Sequence, residues 1–172
     1  MRKITLGLAV TLDGYIEGPN GEYDWCFTDQ DYGITEFVES IDAIFYGRKS
    51  FEMAGGNLYP DKKAYIFSNS LKTVQEGAEL VSGDIIEAVK KIKQQPGKNI
   101  WLFGGASLTT AFINADLVDE LWLSIHPLLL GSGKLLFQQI RERKYFNLVK
   151  TKHYETGLVS LWYTRQEQEL KK

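Results

Sequence analysis

The chain reads as an α/β protein with a mainly parallel sheet covered by helices and an antiparallel hairpin at one edge. Three observations predict this. Strand-like and helix-like stretches alternate up to Leu117, and strands dominate after it. Two apolar runs, residues 43–47 and 99–105, end on glycine and pass straight into helical periodicity. Near the C-terminus, residues 146–154 and 158–165 alternate in polarity and meet at Glu155-Thr156-Gly157, a β-hairpin.

The first strand covers residues 3–11. Ile4, Leu6, Leu8 and Val10 point one way, and Thr5, Gly7, Ala9 and Thr11 point the other. The small face makes room for a packed helix or for a flat ligand ring. Residues 12–21 hold three glycines and an Asn-Gly pair, which predicts a loop or hairpin-like excursion. Tyr23, Trp25 and Phe27 then form either an aromatic wall for a planar substrate or ordinary core.

Ile34, Phe37, Val38 and Ile41 recur at helical spacing and place a helix over about residues 31–40. Thr28, Asp29 and Asp31 lie at its start, where they cap free N–H groups or face a pocket. Ala43-Ile-Phe-Tyr-Gly47 is a strand that runs into a short helix beginning Arg48-Lys49-Ser50 and broken by Gly55-Gly56. Two cations and a hydroxyl at a helix start suit an anion; a solvated basic turn is the alternative.

Residues 63–70 read as a strand with a polar Ser68-Asn69-Ser70 end, and residues 79–81 as a short one. Asp84-Ile-Ile-Glu87 resembles a capping box, and its helix ends near Gln95-Pro96-Gly97. Next comes Asn99-Ile-Trp-Leu-Phe-Gly104-Gly105, whose following helix carries Leu108, Ala111, Phe112 and Ala115 on one face. Two residues without side chains let a ligand approach the backbone, and the free N–H groups of the helix start favour a phosphate. Residues 120–126 are a further strand, with Trp122, Ser124 and His126 on one face. The aromatic strands around Trp122 and Trp162 either pack within one core or across an interface.

Composition narrows the function. With 172 residues, 44% hydrophobic and 24% charged, the chain fits one soluble domain over residues 1–165 and a polar tail, residues 166–172. A net charge of −2 argues against a nucleic-acid-binding surface. The single Cys26 excludes an internal disulfide, and with His126 and His153 as the only histidines no metal site is expected. No apolar run reaches membrane-spanning length and no signal peptide precedes the first strand, so a cytoplasmic protein is expected. The common nucleotide fingerprints fail. There is no Gly-x-Gly-x-x-Gly, and Gly133-Lys134 lacks the first glycine and the hydroxyl of a P-loop. What remains is two strand–glycine–helix turns, a polar strand end and an N-terminal loop, which one extended dinucleotide would span.

In that order the motifs resemble the dihydrofolate reductase superfamily, and more closely the reductase domain of bacterial riboflavin biosynthesis. Thr11-Leu12-Asp13-Gly14 is similar to that family's Ser-x-Asp-Gly motif, and Gly47-Arg48-Lys49-Ser50-Phe51 to its Gly-Arg-x-Thr/Ser-aromatic motif. Tyr65-Ile-Phe-Ser68 resembles its strand ending in Ser, Trp101-Leu-Phe-Gly104-Gly105 its Gly-Gly motif, and His126-Pro127 with Gly131-Ser132-Gly133 the riboflavin-type branch.

The resemblance implies a three-layer α/β/α dihydrofolate-reductase-like fold, a homodimer, and an NADPH-dependent reductase. Its substrate would be a small heterocycle, as for 5-amino-6-(5-phosphoribosylamino)uracil reductase or dihydrofolate reductase. Gly104, Gly105, Ala106 and Ser107 would hold the diphosphate, with Phe103 and Leu108 beside them. Gly47, Arg48, Lys49 and Ser50 would contact the phosphates or the adenosine side, and Ser68 and Asn69 the 2′-phosphate. Ala9 and the loop from Asp13 to Gly18 would cover the nicotinamide. On the substrate side, Trp25, Asp29 and Phe51 would line the pocket. Either Asp31, sixteen residues before Gly47, or Asp13 would polarise the substrate. The proline found before the helix in many dihydrofolate reductases is missing, which argues against folate. A non-catalytic ligand-binding module that kept the fold, or a purely structural subunit, are the rival readings.

Overall fold

The computed structural model describes residues 1–166, and the rest of the expected tail, residues 167–172, lies outside the described residues. The strands are β1 (Ile4–Thr11), β2 (Tyr15–Glu17), β3 (Ile41–Gly47), β4 (Lys63–Phe67), β5 (Ala78–Val81), β6 (Asn99–Gly104), β7 (Glu120–His126), β8 (Lys134–Leu135), β9 (Phe146–His153) and β10 (Val159–Arg165). The helices are α1 (Ile34–Glu39), α2 (Arg48–Met53), α3 (Ile85–Gln94) and α4 (Ala106–Asn114). Eight strands form one sheet in the order β5-β4-β3-β6-β1-β7-β10-β9. Pairing is parallel from β5 to β7 and antiparallel at β10 and β9.

Alternation along the parallel strands sends side chains to two cores, which makes three layers. Leu6, Phe45 and Leu102 pack with Val89 and Ile92 of α3 and Phe112 and Ile113 of α4. On the other face Ile44, Tyr46, Trp101 and Trp122 pack with Phe37 of α1. Phe112 is fully buried against Phe45 and Phe67, so truncating it to alanine costs about 3–5 kcal/mol. The small face of β1 has a definite reason at Gly7. A Cβ there would lie 3.1 Å from the Trp101 indole nitrogen and 3.2 Å from the Trp122 ring. The Trp101 Nε1–H donates to the Gly7 carbonyl at 2.8 Å.

Three local readings shift. The first helix begins at Ile34, because Gly33 adopts φ 97°, a left-handed conformation that a helix interior does not accept. The expected loop at residues 12–21 contains β2, which pairs with β8 as a separate two-stranded ribbon. Trp122 and Trp162 stack on each other within this chain, centroids 5.4 Å apart, so Trp122 is core. The Asp84 cap is as read: its carboxylate accepts from the Ile86 and Glu87 N–H groups. No helix among the described residues is long and apolar enough to cross a membrane.

Candidate active site

The carboxyl ends of β1, β3, β4, β6 and β7 border one cleft of about 1110 Å³. Its position follows from the topology, since parallel strands of an open sheet deliver their helix starts to a single edge. The two glycine turns meet there. A Cβ on Gly47 would lie 3.2 Å from the Gly104 carbonyl, and one on Gly105 would lie 3.1 Å from the Ser50 hydroxyl. Gly104 and Gly105 also hold φ of 121° and 95°, which other residues rarely adopt. No side chain caps α4 at Gly105, so the first N–H groups of that helix are left for another partner.

Of the residues expected to hold a dinucleotide, Ala9, Gly47, Arg48, Lys49, Ser50, Ser68, Asn69, Phe103, Gly105, Ala106, Ser107 and Leu108 line this cleft. Gly104 and Gly18 do not. Gly104 forms the turn behind it. Gly18 sits in a tight loop where its N–H donates to the Glu22 carbonyl and a side chain would collide with the Glu22 carboxylate. Arg48 is shared with Glu52 at 3.1 Å, one turn along α2. Lys49 has no ion pair among the described residues. The Ser68 hydroxyl accepts from the Ser70 and Leu71 N–H groups, and Asn69 accepts from Gly83 N–H at 2.9 Å, so the end of β4 is rigidly shaped.

The acids expected beside the substrate bond to neighbouring groups of the chain. Asp31 is exposed at the start of α1 and accepts from the Gly33 N–H at 2.8 Å. Bonds from Thr35 and then Gly33 hold its carboxyl below the usual range. Asp13 clamps two loops. It accepts from the Thr11 hydroxyl at 2.5 Å and from the Leu130 and Gly131 N–H groups, which lowers its pKa. Asp29 accepts from the Tyr32 hydroxyl at 2.7 Å. None of the three lines the cleft. Nor does Phe51, which packs on Tyr46, or Trp25, which lies edge-on to His126.

The half of the cleft between α1 and strands β1 and β7 is instead formed by Gly7, Phe27, Tyr32, Ile34, Trp122 and Ser124. His126 fastens its far corner. Its Nδ1 lies 3.0 Å from the Ser124 carbonyl, while Nε2 accepts from the Phe27 N–H at 3.1 Å. That pattern requires the neutral Nδ1–H tautomer, and burial pushes its pKa down. Cys26, also on the wall, has its thiol pushed up to about 11 by burial and the nearby Asp24. Tyr32, Trp122 and Ser124 carried no motif. The shared face of Trp122, Ser124 and His126 on one strand was the sequence signal available for them.

A mainly parallel three-layer sheet with a dinucleotide-sized cleft across its carboxyl edge defines a protein of the dihydrofolate reductase fold. Residues 2–160 match the family of the RibD C-terminal domain, and the chain belongs to that family, a reductase-type family. It is 48% identical over 177 aligned positions to YyaP of Bacillus subtilis (strain 168), a protein of uncharacterised function, covering 94% of each chain. A protein of Shewanella sp. PV-4 assigned to riboflavin biosynthesis superposes with TM-score 0.85 at 26% identity, covering 97% of this chain and 100% of that one. Dihydrofolate reductase of Enterococcus faecalis, complexed with NADP(H), shares the fold. Its TM-score is 0.74 at 18% identity, with 96% and 97% of the two chains covered.

Proposed function

We propose that this chain is an NADPH-dependent reductase that transfers hydride to a small heterocyclic substrate. One observation carries the reading: the abutting turns at Gly47 and Gly105 open an uncapped helix start onto the cleft beside Lys49 and Arg48. The residues fit a dinucleotide phosphate. Side chains are absent where a diphosphate must approach the backbone, and α4 supplies free N–H groups and the positive end of its dipole. Lys49, Arg48, Ser68 and Asn69 line the cleft and offer the charge and hydrogen bonds that a 2′-phosphate, present in NADPH and not in NADH, would take. NADPH supplies the hydride when bound. The chain binds it, orients the substrate ring from the α1 side, and excludes water with Phe27, Tyr32 and Trp122.

Titration with NADPH, followed by cofactor fluorescence and by the thermal midpoint, tests this. Saturation in the micromolar range is expected, with weaker binding of NADH. No response at millimolar NADPH would sink the reading. Oxidation of NADPH by a candidate pyrimidine or pterin separates an enzyme from a binding module. A homodimer belongs to the same reading: edge strand β9 leaves Leu148 and Val149 exposed, and sedimentation velocity checks it.

A further inference from the structure

The β2–β8 ribbon borders the cleft near the ends of β1 and β7 and contributes Ile16, Glu17 and Lys134 to its wall. Glu17 is the one Asp or Glu side chain on that wall among the described residues. Lys134 is its direct partner across the ribbon, and the Lys134 Nζ donates to Glu17 Oε1. Access differs between the two: the Glu17 side chain is 17% exposed and that of Lys134 40%. The other cations of the wall, Arg48 and Lys49, stand at the β3–α2 turn. Away from that turn, the ionic groups on the wall are this pair.

The chain itself fixes the ribbon that carries them. Asp13 accepts from the Leu130 and Gly131 N–H groups, and the Leu12 N–H donates to the Leu128 carbonyl. Those bonds join the two excursions at their base. The Leu136 N–H donates to the Gly14 carbonyl at 2.9 Å, and Ile16 and Leu136 pack into the core on the α3–α4 side. At the tip Gly133 holds φ 134°, and a Cβ there would overlap the Glu17 carbonyl. The two backbones thus cross as closely as glycine allows, which sets the points from which the two side chains leave. The ion pair uses one carboxylate oxygen and one ammonium N–H. Glu17 Oε2 and the other Lys134 donors have no partner among the described residues.

An acceptor and a donor held side by side match a donor and an acceptor side by side on a ligand. A ligand N–H can bond Glu17 Oε2 while the neighbouring carbonyl accepts from Lys134, and both bonds are charge-assisted. An amide edge has that order; a ketone, an ester or an N-methylated ring does not. Within an ion pair a carboxylate only accepts and an ammonium only donates, so the order cannot reverse as that of a Gln or Asn amide can. We propose that Glu17 and Lys134 form a recognition fork for an amide edge, N–H beside C=O, on a ligand in the cleft. Two ligands of the reductase reading carry such an edge: the carboxamide of the nicotinamide ring and a lactam in a heterocyclic substrate. The proposal rests on that reading and deepens it.

Exchanging the two charges provides the test. Glu17→Lys combined with Lys134→Glu keeps an ion pair across the ribbon and reverses the order of acceptor and donor. Calorimetry on the full chain compares two matched sets of ligands. NADPH is set against 2′-phospho-ADP-ribose, which lacks the nicotinamide. Lumazine, a pteridine with lactam edges, is set against 1,3-dimethyllumazine, which lacks the ring N–H groups. The exchange is expected to weaken at least one of NADPH and lumazine about tenfold. It should leave 2′-phospho-ADP-ribose and 1,3-dimethyllumazine unchanged. A loss for NADPH assigns the fork to the cofactor, and a loss for lumazine assigns it to the substrate. The thermal midpoint should stay within about 4 °C of the natural chain's, because a partly exposed pair adds little stability. Unchanged affinity for both amide ligands, or an equal loss for their amide-free partners, marks a purely structural pair and overturns the proposal. Failure of the natural chain to bind NADPH sinks the reductase reading instead. The lumazine series without cofactor then tests the fork alone, and no lumazine binding at millimolar concentration overturns it.

Discussion

Where β3 and β6 end, the cleft is made by two short runs of chain, residues 47–50 and 105–108, with Phe103 beside them. Where α1 faces β1 and β7, it is made by side chains of residues 27, 32, 34, 122 and 124 beside the bare backbone of Gly7. The first half is cationic and closely fitted at its glycines, where an added carbon would crowd Gly104 and Ser50. The second is aromatic, neutral as a whole, and fastened by side-chain hydrogen bonds such as those of His126. A backbone site suits a ligand whose phosphates do not vary. A side-chain site can be respecified without disturbing the sheet, which is how one fold comes to serve different substrates.

Four expected outcomes sharpen or break that contrast. The largest effect belongs to Gly105→Ala. The new Cβ would press on the Ser50 hydroxyl at φ 95°, costing about 1–3 kcal/mol of stability. NADPH affinity, read by fluorescence titration, should fall about 100-fold or more. Unchanged affinity would mean that the turn holds no diphosphate. Next is Lys49→Ala, expected to weaken NADPH about tenfold and NADH little, so that the preference between them narrows. An equal loss for both cofactors would remove Lys49 from 2′-phosphate recognition.

A smaller effect is the pH response of the other half. Burial lowers the His126 pKa below its ordinary 6.5, so the unfolded chain takes up the proton more readily than the folded one. Its stabilisation is complete above 6.5 and declines as pH falls below that toward the folded value. Thermal midpoints measured from pH 7.5 to 5 should drop more for the natural chain than for His126→Gln. Parallel curves would show that His126 is not the titrating group. The smallest effect is for Asp31→Ala. Its carboxylate is exposed and bound to the backbone N–H of Gly33, so only a slight fall in midpoint is expected, with ligand and cofactor affinity intact. Loss of heterocycle binding in this variant would put Asp31 back into the substrate half.

The uneven legibility of the two halves has the same physical origin. Gly47, Gly104 and Gly105 could be read from the chain because a turn that needs positive φ, or the close approach of another backbone, leaves its requirement in local sequence. The same holds for Asp84, whose cap is satisfied within three residues. Asp13 and Asp31 could not be assigned in the same way. A carboxylate next to a turn looks alike in sequence whether it faces a ligand or its own backbone N–H groups, and here both face backbone. The short β2–β8 ribbon escaped notice because its two strands are separated by more than a hundred residues and have little periodicity of their own.

The sequence by itself determined the alternation of strand and helix, the parallel sheet with its C-terminal hairpin, and the position of the glycine turns. Each of these is set by interactions over a few residues or by a repeating polarity. The tertiary structure alone decided that Gly47 and Gly105 share one edge, that Trp122 stacks inward on Trp162, and that Asp13, Asp29 and Asp31 lie off the cleft wall. These depend on which strands become neighbours in the sheet, and that order is chosen by how the whole set of apolar faces packs into two cores.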